Sequence, residues 1–152
     1  MGGDLKIARK ALAEEGHALV VVRDNRVLFA SRMPGVKSLL EALDSDTLPG
    51  AAVADKVIGR AAAMIAVQGE AGSVYSPVMS QGAVAVLTEA GILYLADRIV
   101  PFIKNREGTG PCPIEMSTES TVIPEKGVAA IRKMLAELAG RGVFAPNMAQ
   151  LH

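Results

Sequence analysis

Apolar positions in this chain alternate between helical and strand spacing. Leu5, Ala8, Ala11 and Leu12 share one helical face between about Asp4, which can cap the helix, and Glu15, with Gly16 as its stop. His17 to Arg23 is β-branched and predicts a strand, and Val27 to Ser31 predicts a second. The turn Arg23-Asp24-Asn25-Arg26 tolerates positive φ at its centre, which makes the two strands a β-hairpin. His17, at the mouth of the first strand, reads as a turn or edge residue rather than a ligand.

After Pro34-Gly35, residues Val36, Leu39, Leu40 and Leu43 predict a short amphipathic helix, and Asp44 to Gly50 a polar loop. Ala51 to Gln68 is rich in alanine and predicts a well-buried helix ending at Gly69, although Met64 to Val67 alone also suits a strand. Val74 to Met79 predicts a strand whose Pro77 implies an edge or an irregularity. Ser80 fits the N-cap of a helix carrying Ala83, Val86, Leu87 and Ala90, stopped by Gly91. Ile92 to Ala96 predicts another strand, and Ile99 to Ile103, interrupted by Pro101, a weak or edge strand. Pro124 opens a last helix with Val128, Ile131, Leu135 and Leu138 on its apolar face and Gly140 at its end. The pattern predicts one domain over residues 1–141 and a frayed tail over 142–152. Alternating helices and strands imply an α/β fold, with helices packed on a sheet that has at least some parallel strands.

Composition narrows the function classes. Sixteen basic and sixteen acidic residues balance, and only five residues are Phe or Tyr. No global field favours nucleic acid or an anionic membrane, and platforms for stacking bases are scarce. One cysteine excludes an internal disulfide and a multi-cysteine zinc site, and the two histidines are far apart in sequence, so no metal or other cofactor is expected. The polar N-terminus lacks a signal-peptide core, and no apolar run approaches the roughly 20 residues of a membrane span. A cytoplasmic protein is expected, and a homo-oligomer remains open.

Candidate chemistry concentrates in Asn105-Arg106-Glu107-Gly108-Thr109-Gly110-Pro111-Cys112-Pro113-Ile114-Glu115. Pro113 suits the first helical position, which puts Cys112 at the N-cap and Glu115 where its carboxylate can reach back to the cap N–H. A cap alone explains cysteine poorly. A thiol at a helix N-terminus, with Arg106 nearby, would favour thiolate, and Glu115 would oppose it or act as acid or base. Gly108-Thr109-Gly110 either bends the chain or lets backbone amides approach an anion, yet it has neither P-loop nor dinucleotide spacing. Asp55-Lys56, read at the start of an apolar helix, complements the helix dipole or lines a cleft, with Asp55 as base and Lys56 binding an anion. Ser80, at another helix start, is a further ligand candidate.

Three segments carry a family resemblance: Leu19-Val20-Val21-Val22-Arg23-Asp24 with Val27-Leu28-Phe29, Ala54-Asp55-Lys56-Val57-Ile58-Gly59, and the 105–115 motif. Over roughly Leu5 to Leu138 the chain resembles an uncharacterised prokaryotic family whose fold is similar to cytidine deaminases. The resemblance implies a three-layer α/β/α sandwich with a mixed sheet that begins with an antiparallel hairpin. Zinc deaminases place His-x-Glu after the hairpin and Pro-Cys-x-x-Cys at the next helix start. Here those positions fall on Ala54-Asp55-Lys56 and Met79-Ser80-Gln81-Gly82, which lack zinc ligands. The resemblance therefore implies the fold without the zinc chemistry.

Two functions are expected from these residues. In the first, the protein is a metal-independent enzyme, a cysteine-dependent transferase or hydrolase, or else a small-ligand binder. Cys112 is then the nucleophile and Asp55 or Glu115 the acid or base, with Lys56, Ser80, Asn105, Arg106, Gly108, Thr109 and Gly110 holding ligand. In the second, it is a non-catalytic binding or regulatory module on a degenerate deaminase scaffold.

Overall fold

The computed structural model describes residues 2–105 and 107–140, so Arg106 and the expected tail over 142–152 lie outside the described residues. The chain opens with helix α1 (Gly3–Glu14), then strands β1 (Leu19–Arg23) and β2 (Arg26–Ser31). Asp24 and Asn25 sit at φ 53° and 63°, the left-handed pair that a two-residue hairpin turn requires. Asp4 does not cap α1, whose N-cap is Gly2. Its carboxylate instead accepts the backbone N–H groups of Asp24 (3.0 Å) and Asn25 (2.8 Å), tying the helix to the hairpin turn.

Helix α2 (Val36–Asp44) follows as the spacing predicts. The expected long helix over Ala51 to Gln68 does not form as one element. It divides into β3 (Ala52–Asp55), β4 (Val57–Ile58) and α3 (Arg60–Gln68). Ala52, Val53, Ala54 and Asp55 are all buried. A segment apolar on both faces suits a central strand as well as a buried helix, and the unpaired edges of β1 and a later strand decide the outcome over alanine's helix preference. Met64 to Val67 is helical.

Strand β5 (Ser73–Ser80), helix α4 (Gln81–Glu89) and strand β6 (Leu93–Val100) complete the sheet. Its six strands are mixed. β1 pairs antiparallel with β2 and β3, whereas β3, β4 and β6 all run parallel to β5. β3 and β4 hold one continuous register on β5, with Ala52 opposite Ser73 and Val57 opposite Val78, so β6 takes the other edge. β5 is therefore central, and the edge reading of Pro77 is wrong. The irregularity is real, because the pairing on both sides of β5 skips Pro77, which has no N–H to donate. The two expected strands over 92–103 are one, ending before Pro101.

Alternation along the strands sorts the core in two. Val20, Val22, Ala52, Ala54 and Tyr75 meet Leu5, Ala8, Ala11 and Leu12 of α1. Leu19, Val21, Val53, Val74 and Val78 join the larger cluster built with α2, α3 and α4, one-turn helix α5 (Pro113–Met116) and final helix α6 (Pro124–Ala139). Helices thus lie on both faces of the sheet. Among the described residues, no helix is long and apolar enough to cross a membrane.

Candidate functional site

Helices α3 and α4 each leave the sheet after a strand parallel to its neighbour, and their N-termini lie side by side. A Cβ on Gly82 would touch the Arg60 side chain at 3.4 Å. Ser80 caps α4, its Oγ accepting the Ala83 N–H at 3.0 Å, and the residue is buried. Gly59 occupies the N-cap of α3 and offers no side chain to its first amides.

Glu115 fills that place from another element. Its carboxylate accepts the Ala61 N–H at 3.2 Å and faces the backbone N–H and guanidinium of Arg60. A Cβ on Gly59 would overlap the same carboxylate, so glycine there permits the docking. Cys112 does stand at the N-cap of α5, but its side chain makes no cap bond. Glu115 thus caps α3 rather than reaching back to its own helix. Burial outweighs the helix amides and pushes the Glu115 carboxyl up to about 7.

Arg60 completes the closure. Its guanidinium donates to the carbonyl oxygens of Thr118 and of Thr121, the latter at 2.6 Å, and so holds down the chain that follows α5. Residues 112–121 thereby form a strap across the start of α3. Beneath the strap Gly59, Cys112, Ile114 and Glu115 line a crevice of about 20 Å³ with Gly35, Val36 and Val57. That volume admits about one water molecule. Cys112 is 4% exposed, and burial raises its thiol above the ordinary value despite nearby amides. A buried, protonated thiol is a poor nucleophile.

The other expected residues are scattered. Asp55 ends strand β3 instead of starting a helix, and the first residues of α3 are Arg60 and Ala61. Asp55 is buried, accepts the Val57 N–H at a long 3.4 Å, and is pushed to about 7 by desolvation. It is not among the residues lining the crevice. Lys56 marks the break between β3 and β4, where its N–H donates to the Ala18 carbonyl. Asn105 and residues 107–110 form a turn closed by their own bonds. The Asn105 side chain exchanges hydrogen bonds with Thr109, Gly108 stands at φ 75°, and a bridge between Lys104 and Pro111 closes the loop. The Asn105 and Thr109 groups are thus spent on bending the chain. Among the described residues, no group of three His, Cys, Asp or Glu side chains converges to hold a metal ion.

Arg60 had no legible role in the sequence, nor did the larger cavity that it lines. A groove of about 350 Å³ is lined by Arg60 and Val67 of α3, Val86 and Glu89 of α4, and Val122 and Pro124 at the start of α6. Gly59 was the available signal. A glycine inside an apolar run weakens the case for an unbroken helix, and the residue after such a break is the one to examine.

No curated protein matches this chain. It is similar to a crystallised protein of Thermotoga maritima, TM1506, described as a DUF1893 family protein. The identity is 27% over 90% of this chain and 92% of that one, with a TM-score of 0.78. The family model for TM1506, described as a domain of unknown function (DUF1893), matches residues 7–135. The chain belongs to the DUF1893 family.

Proposed function

We propose that this protein is a non-catalytic small-ligand-binding module on a deaminase-type scaffold. In this reading the fold is a three-layer α/β/α sandwich of the cytidine-deaminase kind, and the corner where such a fold would hold zinc is closed by the protein's own 112–121 strap. Supporting the scaffold are the antiparallel hairpin at one side of the sheet, the parallel β3/β4, β5 and β6, and the adjacent starts of α3 and α4. A cytoplasmic location belongs to the same proposal.

One contrast carries the functional half. The crevice at Cys112 has room for about one water, whereas the groove beside Arg60 falls in the size range of small-molecule sites. The groove is mostly apolar, and the charged residues in its lining are Arg60 and Glu89. Its complement is a compact apolar molecule with an acceptor for Arg60 and a donor for Glu89. Anilinonaphthalene sulfonate has apolar rings, a sulfonate and one N–H, and is a suitable probe. Calorimetric titration should give saturable binding to the native protein, lost in Ala85→Trp, which fills the groove, and kept in Cys112→Ala. Binding indifferent to Ala85→Trp in a folded variant would end the proposal.

A second reading, a cysteine-dependent transferase or hydrolase, has one observation in its favour. Asp55 and Glu115 both titrate near 7, where acid–base groups work best at neutral pH. It requires Cys112 to be reactive in the folded protein. Rapid stoichiometric labelling by iodoacetamide under native conditions would favour this reading over the first.

A further inference from the structure

Arg60 serves the groove and the strap at once. It lines the groove, while its guanidinium donates to the carbonyl oxygens of Thr118 and Thr121. A guanidinium carries five N–H donors, so an acceptor in the groove need not displace either carbonyl. The chain that leaves the strap supplies another part of the groove wall. Val122, directly after Thr121, lines the groove and is 85% exposed. Pro124, also in the lining, is the first residue of α6. Helix α6 has its own anchorage on α3: Val128 and Ile131 are buried, and a Cβ on Gly127 would overlap the sulfur of Met64. When the strap lifts, Pro124 therefore stays with α6, whereas Val122 follows Thr121.

Given the groove as the ligand site, we infer that a ligand bound there locks the strap shut, so that occupancy of the groove controls access to Cys112. Only the closed strap presents Val122 as a wall. A ligand that packs on Val122 therefore binds the closed state more tightly than the open one, and by linkage it shifts the strap toward closure by the same factor. Covering most of one valine side chain corresponds to a factor of roughly ten. The strap's anchors are neighbours on α3, since Arg60 holds Thr118 and Thr121 while the Ala61 N–H holds Glu115. The 115–121 segment thus opens as one piece, and Cys112, which lines the crevice with Glu115, is uncovered with it. A loaded groove seals the thiol, and an empty one lets it open.

Iodoacetamide labelling of the full chain, with and without saturating anilinonaphthalene sulfonate, tests this, because Cys112 is the chain's one cysteine. Urea is kept well below the unfolding transition, where a local opening has almost no urea dependence. The probe should slow labelling about tenfold in the wild type. The slowing should vanish in Ala85→Trp, which no longer takes the probe, and shrink in Val122→Ser, a change at an exposed position. Calorimetric binding of the probe that is lost in Ala85→Trp, with labelling unchanged or faster when the probe is bound, overturns the inference and leaves the groove as the ligand site. Absence of saturable binding overturns both. Full slowing in a folded Val122→Ser also overturns the inference. So does a labelling rate that climbs with urea as steeply as global unfolding, since the strap then never opens alone.

Discussion

Glu115 is the residue on which the strap depends, and its place rests on the absence of a side chain at Gly59. Gly59→Ala should displace the carboxylate and lower stability by about 1–3 kcal/mol in urea denaturation. The loss should shrink when Glu115→Ala is added, since the clash is then gone, and additive losses would contradict the contact. The pH dependence follows from the same burial. Glu115 titrates at about 7 in the fold against 4.5 as a free side chain. A raised carboxyl contributes stability that is fully present below the unfolded value and is lost as pH rises toward the folded one. Relative to Glu115→Gln, the wild type should therefore lose up to about 3 kcal/mol between pH 4.5 and 7, then level off. A gain over that interval would mean that the α3 amides, not burial, dominate. Asp55 should contribute in the same direction through its own shift to about 7. Neither carboxyl's role was legible in the sequence. The spacing of Cys112, Pro113 and Glu115 located a helix start correctly, but a cap donated to a different helix has no local signature.

At the scale of elements, the strap is held by Arg60 as well as by Glu115. Arg60→Ala should cost about 1–3 kcal/mol, as hydrogen bonds from a charged donor do. It should also raise amide hydrogen exchange at residues 118–123 well before the core of α3. Unchanged exchange there would show that apolar packing of Ile114, not Arg60, fixes the strap. Helices α1, α2, α4 and α6 were readable because their apolar residues recur every three or four positions and a cap such as Ser80 marks a start. The hairpin was readable from Asp24-Asn25. The β3–β4–α3 stretch was not, because alanine-rich sequence carries no period and only neighbouring strands decide its state. Pro77 misled for a related reason. Proline forbids one hydrogen bond and says nothing about whether the rest of a strand is central.

For the molecule as a whole, the strap and the groove divide the space around the start of α3. The closed corner holds the thiol, and the groove beside Arg60 is the larger space. If the corner is closed as the strap geometry requires, Cys112 reacts only when the protein opens, and its chemistry says which reading of the molecule is right. The direct measurement is the rate of iodoacetamide labelling of Cys112 in the native protein against the rate in denaturant. Native labelling should be slowed by several orders of magnitude and accelerated by Arg60→Ala, which loosens the strap. Native labelling as fast as that of the unfolded chain, and unaltered by Arg60→Ala, would contradict it.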